Sequence, residues 1–506
     1  MEFKKHSALM TVVFLALIGV GASLFALNEA HRNRVVTTDS IVYVETARHI
    51  AQGQGIRTSI LNINDTELEP AQTQYPPLYS MTMAPFIAAG LDPILAGRLV
   101  SAISLGLLVL FVGLWMWRML GALPAVATAA LLTTLPSLTS TSAAVWTDPL
   151  YTLITVTLVS LGTRVLKRPS AFRWFVLGSL VGAAIFTKYL GLVLIAVALA
   201  FLVLFDLRNW LKTSSLRPAL YVLLGMALFL VPLLSRNVLL SRPIGGAVRH
   251  FSGLSLGAIL ADTWNTLSVD FTRNWIWDSI LILVVVSLII VFRNRDGRER
   301  FKQIGHDLII PVVLSIVVYV LGLIVTRWFI DTDPIHTRFL VPVYPLVAVV
   351  FVALVATAGA TFNKRLAIIF LSILALVSMG WTIKAYDFGA APYAIQETSR
   401  MSWVRQNTTN NDLLIGDHAP EYNLWFNRTV MRLSGNPTDQ KLTAQYLQLL
   451  KARWSDSFDR LLLTLTPGLN PLEYGEFIAR LSAKDVNGTP VVLVHEEPKL
   501  LLYEVQ

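Results

Sequence analysis

One aspartate stands where a helix begins, just after the first apolar stretch of the chain, and it is the first candidate for chemistry. The segment TTDSIVYVETARHIAQGQG places Asp39 ahead of a helical pattern that Gly53 and Gly55 end. A carboxylate in this position can act as a general base that takes the proton of an attacking hydroxyl. Aspartate is also a favoured N-cap residue, so capping of the helix is the alternative role.

Two further carboxylates lie near the ends of apolar runs. Glu45 follows Asp39 by six residues, and this spacing places the two side chains on different faces of a straight helix. Asp148, in the segment WTDPLYTL, either caps the apolar helix that it opens or lines a binding pocket. A divalent ion held with His336 or His250 is conceivable, but no ligand spacing supports one, so we expect no obligatory metal cofactor.

The composition indicates the class of protein that holds these residues. Of 506 residues, 54% are hydrophobic and 14% are charged, whereas soluble globular proteins carry about 25% charged residues. This deficit disfavours a soluble enzyme, a disordered protein and a disulfide scaffold. The chain contains no cysteine, which excludes thiolate nucleophiles and cysteine-ligated metals. We therefore predict a polytopic membrane protein, whose net charge of +9 reflects loop asymmetry instead of nucleic-acid binding.

Apolar runs long enough to cross a membrane recur along the chain, and we predict about 11 transmembrane helices. The first run, 7–27, is longer than the apolar region of about 7–15 residues in a cleaved signal peptide, which is the alternative, so we expect an uncleaved span. The other runs lie near residues 96–119, 122–138, 143–166, 172–187, 190–205, 218–239, 279–292, 308–326, 340–360 and 366–383.

Basic residues in alternate loops predict the orientation. Lysine and arginine concentrate near residues 4–5, 118, 164–173, 208–217, 293–302 and 364–365, and the positive-inside rule makes that side cytoplasmic. We expect a multi-pass protein of the cell (plasma) membrane with a cytoplasmic N-terminus. Its membrane domain would comprise residues 1–385, with a first outer loop at about 28–93, and residues 386–506 would form an extracytoplasmic domain.

The C-terminal part is more polar and alternates helical patterns with short apolar runs. Strand-like runs lie at residues 412–416, 460–465, 491–494 and 499–505. Such alternation is typical of an α/β domain. The predicted fold class is therefore a mainly α, polytopic membrane protein with a small C-terminal extracytoplasmic α/β domain.

Basic residues on the outer side break the charge asymmetry, so they are candidates for binding a phosphate. Lys188 lies at the outer end of an apolar run, where a charge is costly unless it has a function. Snorkelling to the interface is its alternative role. Arg327 and Arg338 bracket the segment RWFIDTDPIHTR, with His336 between them. A second basic group on the same side consists of Arg236, Arg242, Arg249 and His250. For each arginine, a lipid headgroup contact or a structural salt bridge is the alternative.

Several motifs, in this order along the chain, resemble those of the GT-C glycosyltransferases. They are D-x3-Y-x-E-T-A-x2-I-x2-G-x-G from Asp39, YPPLY at 75–79, WTDPLYTL at 146–153, G-x3-F-T-K-Y at 182–189 and H-x-R-F-x2-P-x2-P at 336–345. Within that superfamily the chain is similar to the protein O-mannosyltransferase and lipid A aminoarabinose transferase-like branch. The protein mannosyltransferases have an acidic pair in this loop, whereas Asp39 is followed by Ser40, which weighs against protein O-mannosylation in particular.

The resemblance implies a GT-C fold and an inverting enzyme that takes a sugar from a polyprenyl-phosphate carrier, because nucleotide sugars are confined to the cytoplasm. The acceptor would be a hydroxyl of a glycan, lipid or protein, membrane lipids are further partners, and no nucleic acid is expected. The resemblance does not distinguish transfer of a hexose from transfer of a pentose. The resemblance implies Asp39 as the catalytic base. The expected donor phosphate-binding residues are Lys188, Arg327, His336 and Arg338. The expected residues of the acceptor or sugar pocket are Glu45, Tyr75, Asp148 and Tyr189.

A polytopic transporter or flippase of a lipid-linked sugar is the alternative function. Transporters tend to contain paired repeats with broken helices and a polar site at the middle of the membrane. Here the polar residues gather at the outer ends of the predicted spans and in one long outer loop, which favours an active site at the membrane surface. Acceptor recognition, covering of the active site and stabilisation all remain open as roles of the C-terminal domain.

Overall fold

The computed structural model divides the chain into two compact units. It describes residues 2–32, 36–61, 67–208, 216–240, 251–272, 284–289, 291–293, 295–331, 334–386, 399–416, 419–432, 444–465, 481, 491–497 and 500–506. The membrane unit comprises Met1–Arg34, Thr73–Thr82 and Leu95–Pro392. The sheet unit comprises Val35–Gln72, Met83–Ile94 and Tyr393–Gln506.

Helices form most of the described chain. In chain order they are α1 (Glu2–Arg32), α2 (Thr38–Ala51), α3 (Leu78–Ala88), α4 (Pro93–Leu120), α5 (Ala122–Thr133), α6 (Pro136–Ala143), α7 (Asp148–Lys167), α8 (Ala171–Thr187), α9 (Val193–Arg208), α10 (Leu216–Leu239), α11 (Leu256–Thr272), α12 (Arg295–Ile304), α13 (Ile310–Phe329), α14 (Thr337–Leu340), α15 (Val343–Phe362), α16 (Lys364–Ala385), α17 (Ser399–Asn407), α18 (Ala419–Phe426) and α19 (Ala444–Trp454). A 3-10 turn (Tyr189–Leu192) precedes α9, and a π-helical turn (Gly305–Ile309) precedes α13.

The structure confirms a polytopic membrane protein. Within the described ranges, 8 helices are long and apolar enough to cross a membrane, or 9 if α5 and α6, which bend by 59°, form one span. Helix α8 has 17 residues, which gives about 26 Å of helix against a hydrocarbon core of about 30 Å. The span expected at 279–292 is described only in part, as helix at 284–289 and 291–293. The predicted number of about 11 spans therefore stays a prediction, because α8 is just below the length of a span and the run at 279–292 is described only in part.

Helices α8 and α10 pack backbone against backbone. A Cβ atom on Gly178 of α8 would lie 2.0 Å from the carbonyl oxygen of Val222, and one on Gly225 of α10 would lie 2.0 Å from that of Phe175. Lipid is as apolar as the helix surfaces, so association of membrane helices depends on close packing of small residues. These two glycines therefore set the separation of α8 and α10.

The sheet unit is built around six strands in the order β1-β3-β2-β4-β6-β5. The strands are β1 (Ile60–Leu61), β2 (Asp412–Gly416), β3 (Val430–Arg432), β4 (Arg460–Leu465), β5 (Val491–Glu497) and β6 (Leu500–Val505). The pairs β1–β3, β3–β2 and β2–β4 are parallel, and β4–β6 and β6–β5 are antiparallel. The four strands predicted in the C-terminal part are confirmed. Strand β1 was not expected, because it comes from the loop after the first helix.

The packing of α8 on α10 predicts a large difference between two glycine-to-alanine changes. Gly178→Ala should lower the free energy of unfolding by about 1–3 kcal/mol or more, because the added methyl group meets backbone atoms. Gly380→Ala, in α16, is the matched control, since a Cβ atom there has no atom of the described chain within 4 Å. Thermal unfolding of both variants in one detergent measures the effect. Equal melting temperatures would contradict the close packing.

Candidate active site

A buried carboxylate shared by two cations lies at the start of α7. Asp148 is the first residue of this helix and is 1% exposed. Its Oδ1 accepts a hydrogen bond from Lys188 Nζ at 2.8 Å, and its Oδ2 accepts one from Arg338 Nη2 at 3.1 Å. We call Asp148, Lys188 and Arg338 the charge cluster. Asp148 is the common counter-ion of the two cations, a role that the sequence did not indicate.

Lys188 reaches Asp148 because the chain breaks after α8. The helix ends at Thr187, Lys188 adopts an extended conformation, and the 3-10 turn follows at once. The turn closes when the N–H of Gly191 donates to the carbonyl oxygen of Lys188 at 2.8 Å. A Cβ atom on Gly191 would lie 2.5 Å from the carbonyl carbon of Ala184. Only glycine lets the turn fold this closely onto α8, so the sequence F-T-K-Y-L-G positions the lysine.

Aromatic rings support both cations. The guanidinium of Arg338 lies 3.9 Å from the ring centre of Trp146, and Lys188 Nζ lies 4.9 Å from that of Phe339. His336 stacks on Phe339 with ring centres 4.5 Å apart and planes 2° apart. The face of an aromatic ring attracts a cation, more strongly where water is excluded. Trp146 and Phe339 were not selected as site residues from the sequence, although Trp146 lies in the WTDPLYTL motif and Phe339 in the H-x-R-F motif.

The charge cluster carries a net positive charge. Within these three residues one carboxylate faces two cations, and the side chains of Lys188 and Arg338 are mostly shielded from solvent. Charges in such surroundings interact more strongly than in water. Lysine offers a compact charge and arginine a planar array of N–H donors, and both suit the oxygens of a phosphate. The arrangement can therefore bind an anion.

The other predicted residues of the membrane unit are placed differently. Arg327 pairs with Asp331, one helical turn further on, at 3.0 Å. The hydroxyl of Tyr189 donates to the carbonyl oxygen of Thr73 at 3.0 Å and accepts from Asn237 Nδ2 at 3.2 Å. Tyr189 thus connects Thr73 to α10.

Some sequence predictions are not decided by the described residues. Tyr75 is half-buried in the membrane unit, and Arg242, Arg249 and His250 lie outside the described residues. Within the described ranges, no group of three or more histidine, aspartate and glutamate residues is placed to hold a metal ion. Metal independence stays a prediction.

Asp39 lies in the first turn of α2, but it is not the cap of that helix. Thr37 is the N-cap: its hydroxyl accepts from the N–H of Ser40 at 3.3 Å, and the hydroxyl of Ser40 accepts from the N–H of Thr37 at 3.3 Å. This reciprocal pair is a capping box. Asp39 is half-buried at the second position of α2. Since Thr37 and Ser40 provide the cap, the alternative reading of Asp39 as the cap is excluded.

Glu45 lies in a buried network within the sheet unit. His49 Nε2 lies 3.2 Å from Glu45 Oε1, and Arg48 Nη1 lies 3.4 Å from Glu45 Oε2. Burial by itself raises the pKa of Glu45, but the hydrogen bond with His49 and the charge of Arg48 bring this pKa below its ordinary value. Burial by itself lowers the pKa of His49, but the bond to Glu45 and its charge raise this pKa above its ordinary value. The two shifts favour the charged forms of both residues, so Glu45 and His49 form an ion pair when His49 is protonated.

The fold and the charge cluster together define a polytopic membrane protein with a cationic centre. Residues 74–235 match the family model of dolichyl-phosphate-mannose-protein mannosyltransferase. No curated protein sequence matches the chain. The matched range includes Asp148 and Lys188, while Asp39 and Arg338 lie outside it. This match supports the resemblance to GT-C glycosyltransferases.

Two solved structures identify the fold over almost the whole chain. The chain is similar to ArnT from Cupriavidus metallidurans bound to undecaprenyl phosphate, with 13% identity, a TM-score of 0.59, and coverage of 98% of each chain. It is also similar to the same enzyme in the apo state, with 14% identity, a TM-score of 0.61, and coverage of 99% of this chain and 98% of ArnT. The GT-C fold is thereby confirmed, and with the family match it supports a membrane glycosyltransferase.

The Glu45–His49 pair predicts a pH dependence of stability. The contribution of Glu45 is complete above its ordinary pKa of 4.5 and is lost as the pH falls through the lowered pKa. The contribution of His49 is complete below its ordinary pKa of 6.5 and is lost as the pH rises through the raised pKa. We expect His49→Gln to lower the melting temperature more at about pH 5.5 than at about pH 9.

Thermal unfolding of the full chain in detergent measures this dependence, and His306→Gln, which changes an exposed histidine, is the control. A melting-temperature difference between wild type and His49→Gln that does not vary with pH would contradict the ionised pair.

Proposed function

We propose that this protein is an integral-membrane inverting glycosyltransferase that moves a sugar from a polyprenyl-phosphate carrier to an acceptor hydroxyl on the extracytoplasmic face. The acceptor class is a glycan, a lipid or a protein, and the sugar is a hexose or a pentose. Localisation in the plasma membrane with a cytoplasmic N-terminus is part of the proposal. The distribution of basic loops supports this orientation.

The charge cluster is the observation that carries the proposal. It combines two cations, one buried counter-ion and two aromatic supports where spans begin. A lipid phosphate leaves with negative charge, and preorganised cations stabilise that charge as it develops. ArnT, which shares the fold, has been solved with undecaprenyl phosphate bound. We assign Lys188 and Arg338 to the donor phosphate, with Asp148 holding both in place and His336 beside them.

Asp39 is the proposed general base. The acceptor O–H gives its proton to the Asp39 carboxylate while the acceptor oxygen forms a bond to the anomeric carbon of the sugar. The bond from that carbon to the phosphate oxygen breaks on the opposite face, and its electron pair stays on the carrier phosphate. The configuration at the anomeric carbon is inverted. Thr37, and not Asp39, is the N-cap residue of α2.

Substitution of Asp39 tests the proposed base. Purified protein in nanodiscs would receive a panel of polyprenyl-phosphate sugars and crude acceptor extract, and release of the carrier phosphate would be measured. General base catalysis contributes about 100- to 10,000-fold, so Asp39→Asn should lower release by at least about 100-fold with folding intact. Asp92→Asn, an exposed aspartate near the end of the same loop, should retain the wild-type rate.

The outcomes of this experiment separate the alternatives. Equal release by wild type and Asp39→Asn would contradict Asp39 as the base, but it would not contradict the proposed glycosyltransferase activity. Neither release nor binding of any donor by the wild type would contradict the transferase, whereas binding of a donor without release would favour the transporter or flippase of a lipid-linked sugar.

Substitution of the cations tests the phosphate site. Lys188→Met or Arg338→Met removes a charged hydrogen bond of about 1.5–3 kcal/mol, so each should weaken binding of polyprenyl phosphate about 10- to 100-fold. Lys384→Met, at the exposed end of α16, removes the same charge as Lys188→Met and should bind like wild type. Titration with polyprenyl phosphate, with uncharged polyprenol as the reference ligand, measures the effect. Equal losses in all three variants would indicate general surface charge instead of a defined site.

A further inference from the structure

Helix α2 is bonded near its C-terminal end to the C-terminal part of the chain. Arg48 Nη1 donates to the side-chain Oδ1 of Asn427 at 3.2 Å, and Arg48 Nη2 donates to the carbonyl oxygen of Leu424 at 3.3 Å. Leu424 lies in the last turn of α18, and Asn427 lies in the corner between α18 and β3. Arg48 also pairs with Glu45 of its own helix. One planar guanidinium thus joins two segments that are almost 380 residues apart in sequence.

The corner that receives Arg48 has a defined backbone. Asn427, with φ of 51°, is the non-glycine residue with positive φ among the described residues, and asparagine is one of the few residue types that adopt this conformation readily. Its N–H donates to the carbonyl oxygen of Asn423 at 2.8 Å, and the buried Asn423 side chain donates to the carbonyl oxygen of Arg428 at 2.8 Å. The acceptors of Arg48 are therefore held in place by their own hydrogen bonds.

A second connection runs from the end of α2 to the same part of the sheet. His49 Nε2 lies 3.0 Å from the hydroxyl of Ser59, and the carbonyl oxygen of Ser59 accepts from the N–H of Val430 at 3.0 Å. The next two residues form β1, which pairs with β3. The C-terminal end of α2 is thus attached to the sheet both through the α18–β3 corner and through β1.

We propose that Arg48 is a positioning residue, through which the C-terminal domain sets the position of α2 and so of Asp39. The inference rests on the proposed function, because it takes Asp39 as the base. Asp39 and Arg48 are nine residues apart on one helix, about 14 Å along its axis. A helix of this length moves as a rigid body, so a shift at Arg48 displaces Asp39.

The energetic consequence follows from the geometry of proton transfer. A base must lie within hydrogen-bond reach of the hydroxyl it deprotonates, and a displacement of about 1 Å can cost about 100-fold in rate. The bond between Arg48 and Asn427 therefore affects kcat more than the KM for the donor. This gives the C-terminal domain a part in catalysis that differs from acceptor recognition and from covering the active site.

Two substitutions of Asn427 test the hydrogen bond between Arg48 and Asn427 without straining the backbone. Asn427→Gly tolerates positive φ but removes the acceptor of Arg48, whereas Asn427→Asp keeps an oxygen acceptor and also tolerates this conformation. We expect Asn427→Gly and Arg48→Ala to lower kcat about 10- to 100-fold while donor KM changes less than about twofold. Asn427→Asp should retain the wild-type kcat. Arg57→Ala is the matched control, because among the described residues the side chain of Arg57 contacts Glu67 and the carbonyl oxygen of Glu69, both of which precede α3 in the chain.

A distance measurement reads the position of α2 without depending on turnover. The chain has no cysteine, so spin labels at Gln52→Cys and Ala452→Cys, both exposed positions of the sheet unit, report the separation of α2 from α19. We expect a broader or shifted distance distribution in Asn427→Gly and Arg48→Ala, and an unchanged one in Asn427→Asp and Arg57→Ala.

The distance distribution reports the hydrogen bond between Arg48 and Asn427, and kcat reports the proposed reaction. A wild-type kcat and an unchanged distribution in both Asn427→Gly and Arg48→Ala would overturn the role of Arg48. A changed distribution with wild-type kcat would also overturn it, because α2 would then move without consequence for Asp39. Absence of transfer by the wild type, with changed distances in the variants, would overturn the proposed reaction. It would still support the attachment of α2 through the hydrogen bond between Arg48 and Asn427.

Discussion

The burial of one carboxylate between two cations is the constraint on which the arrangement of the membrane unit depends. Removing Asp148 from water costs several kcal/mol, and this cost is offset only when charged partners with good geometry are present. Lys188 and Arg338 come from the break after α8 and from the short helix α14, far from Asp148 in sequence. The spans must therefore pack so that these chain ends meet. The extended Lys188 and the close turn at Gly191 are features that this meeting requires.

Much of the membrane unit could be predicted from sequence because the bilayer imposes a simple rule. Apolar length indicates a span whatever its neighbours are, so most spans were predicted near their observed positions. The sequence also selected all three members of the charge cluster, with Asp148 as a helix cap or pocket residue and the two cations as phosphate ligands, but it did not pair them with one another. The ion pairs among them depend on how three distant segments pack. Neither composition nor spacing carries that information, and this also explains why Trp146 and Phe339 were missed.

The sheet unit shows a different limit of sequence reasoning. Strands β2, β4, β5 and β6 have five to seven residues each and contain short apolar runs, and the sequence predicted them. Strand β1 has two residues, too few for any pattern, and it forms only because β3 offers a parallel partner. Local sequence was more informative at α2, where it predicted a helix start near Asp39. It could not assign the cap, because Thr37, Asp39 and Ser40 are all residue types that cap helices.

The serine after Asp39 can now be interpreted physically. In a capping box the third helical residue is commonly glutamate or glutamine, whose side chain reaches back to the N-cap N–H. Ser40 makes this contact with its hydroxyl. The side chain of Ser40 is thus used in the helix cap, and it adds no charge beside the proposed base Asp39.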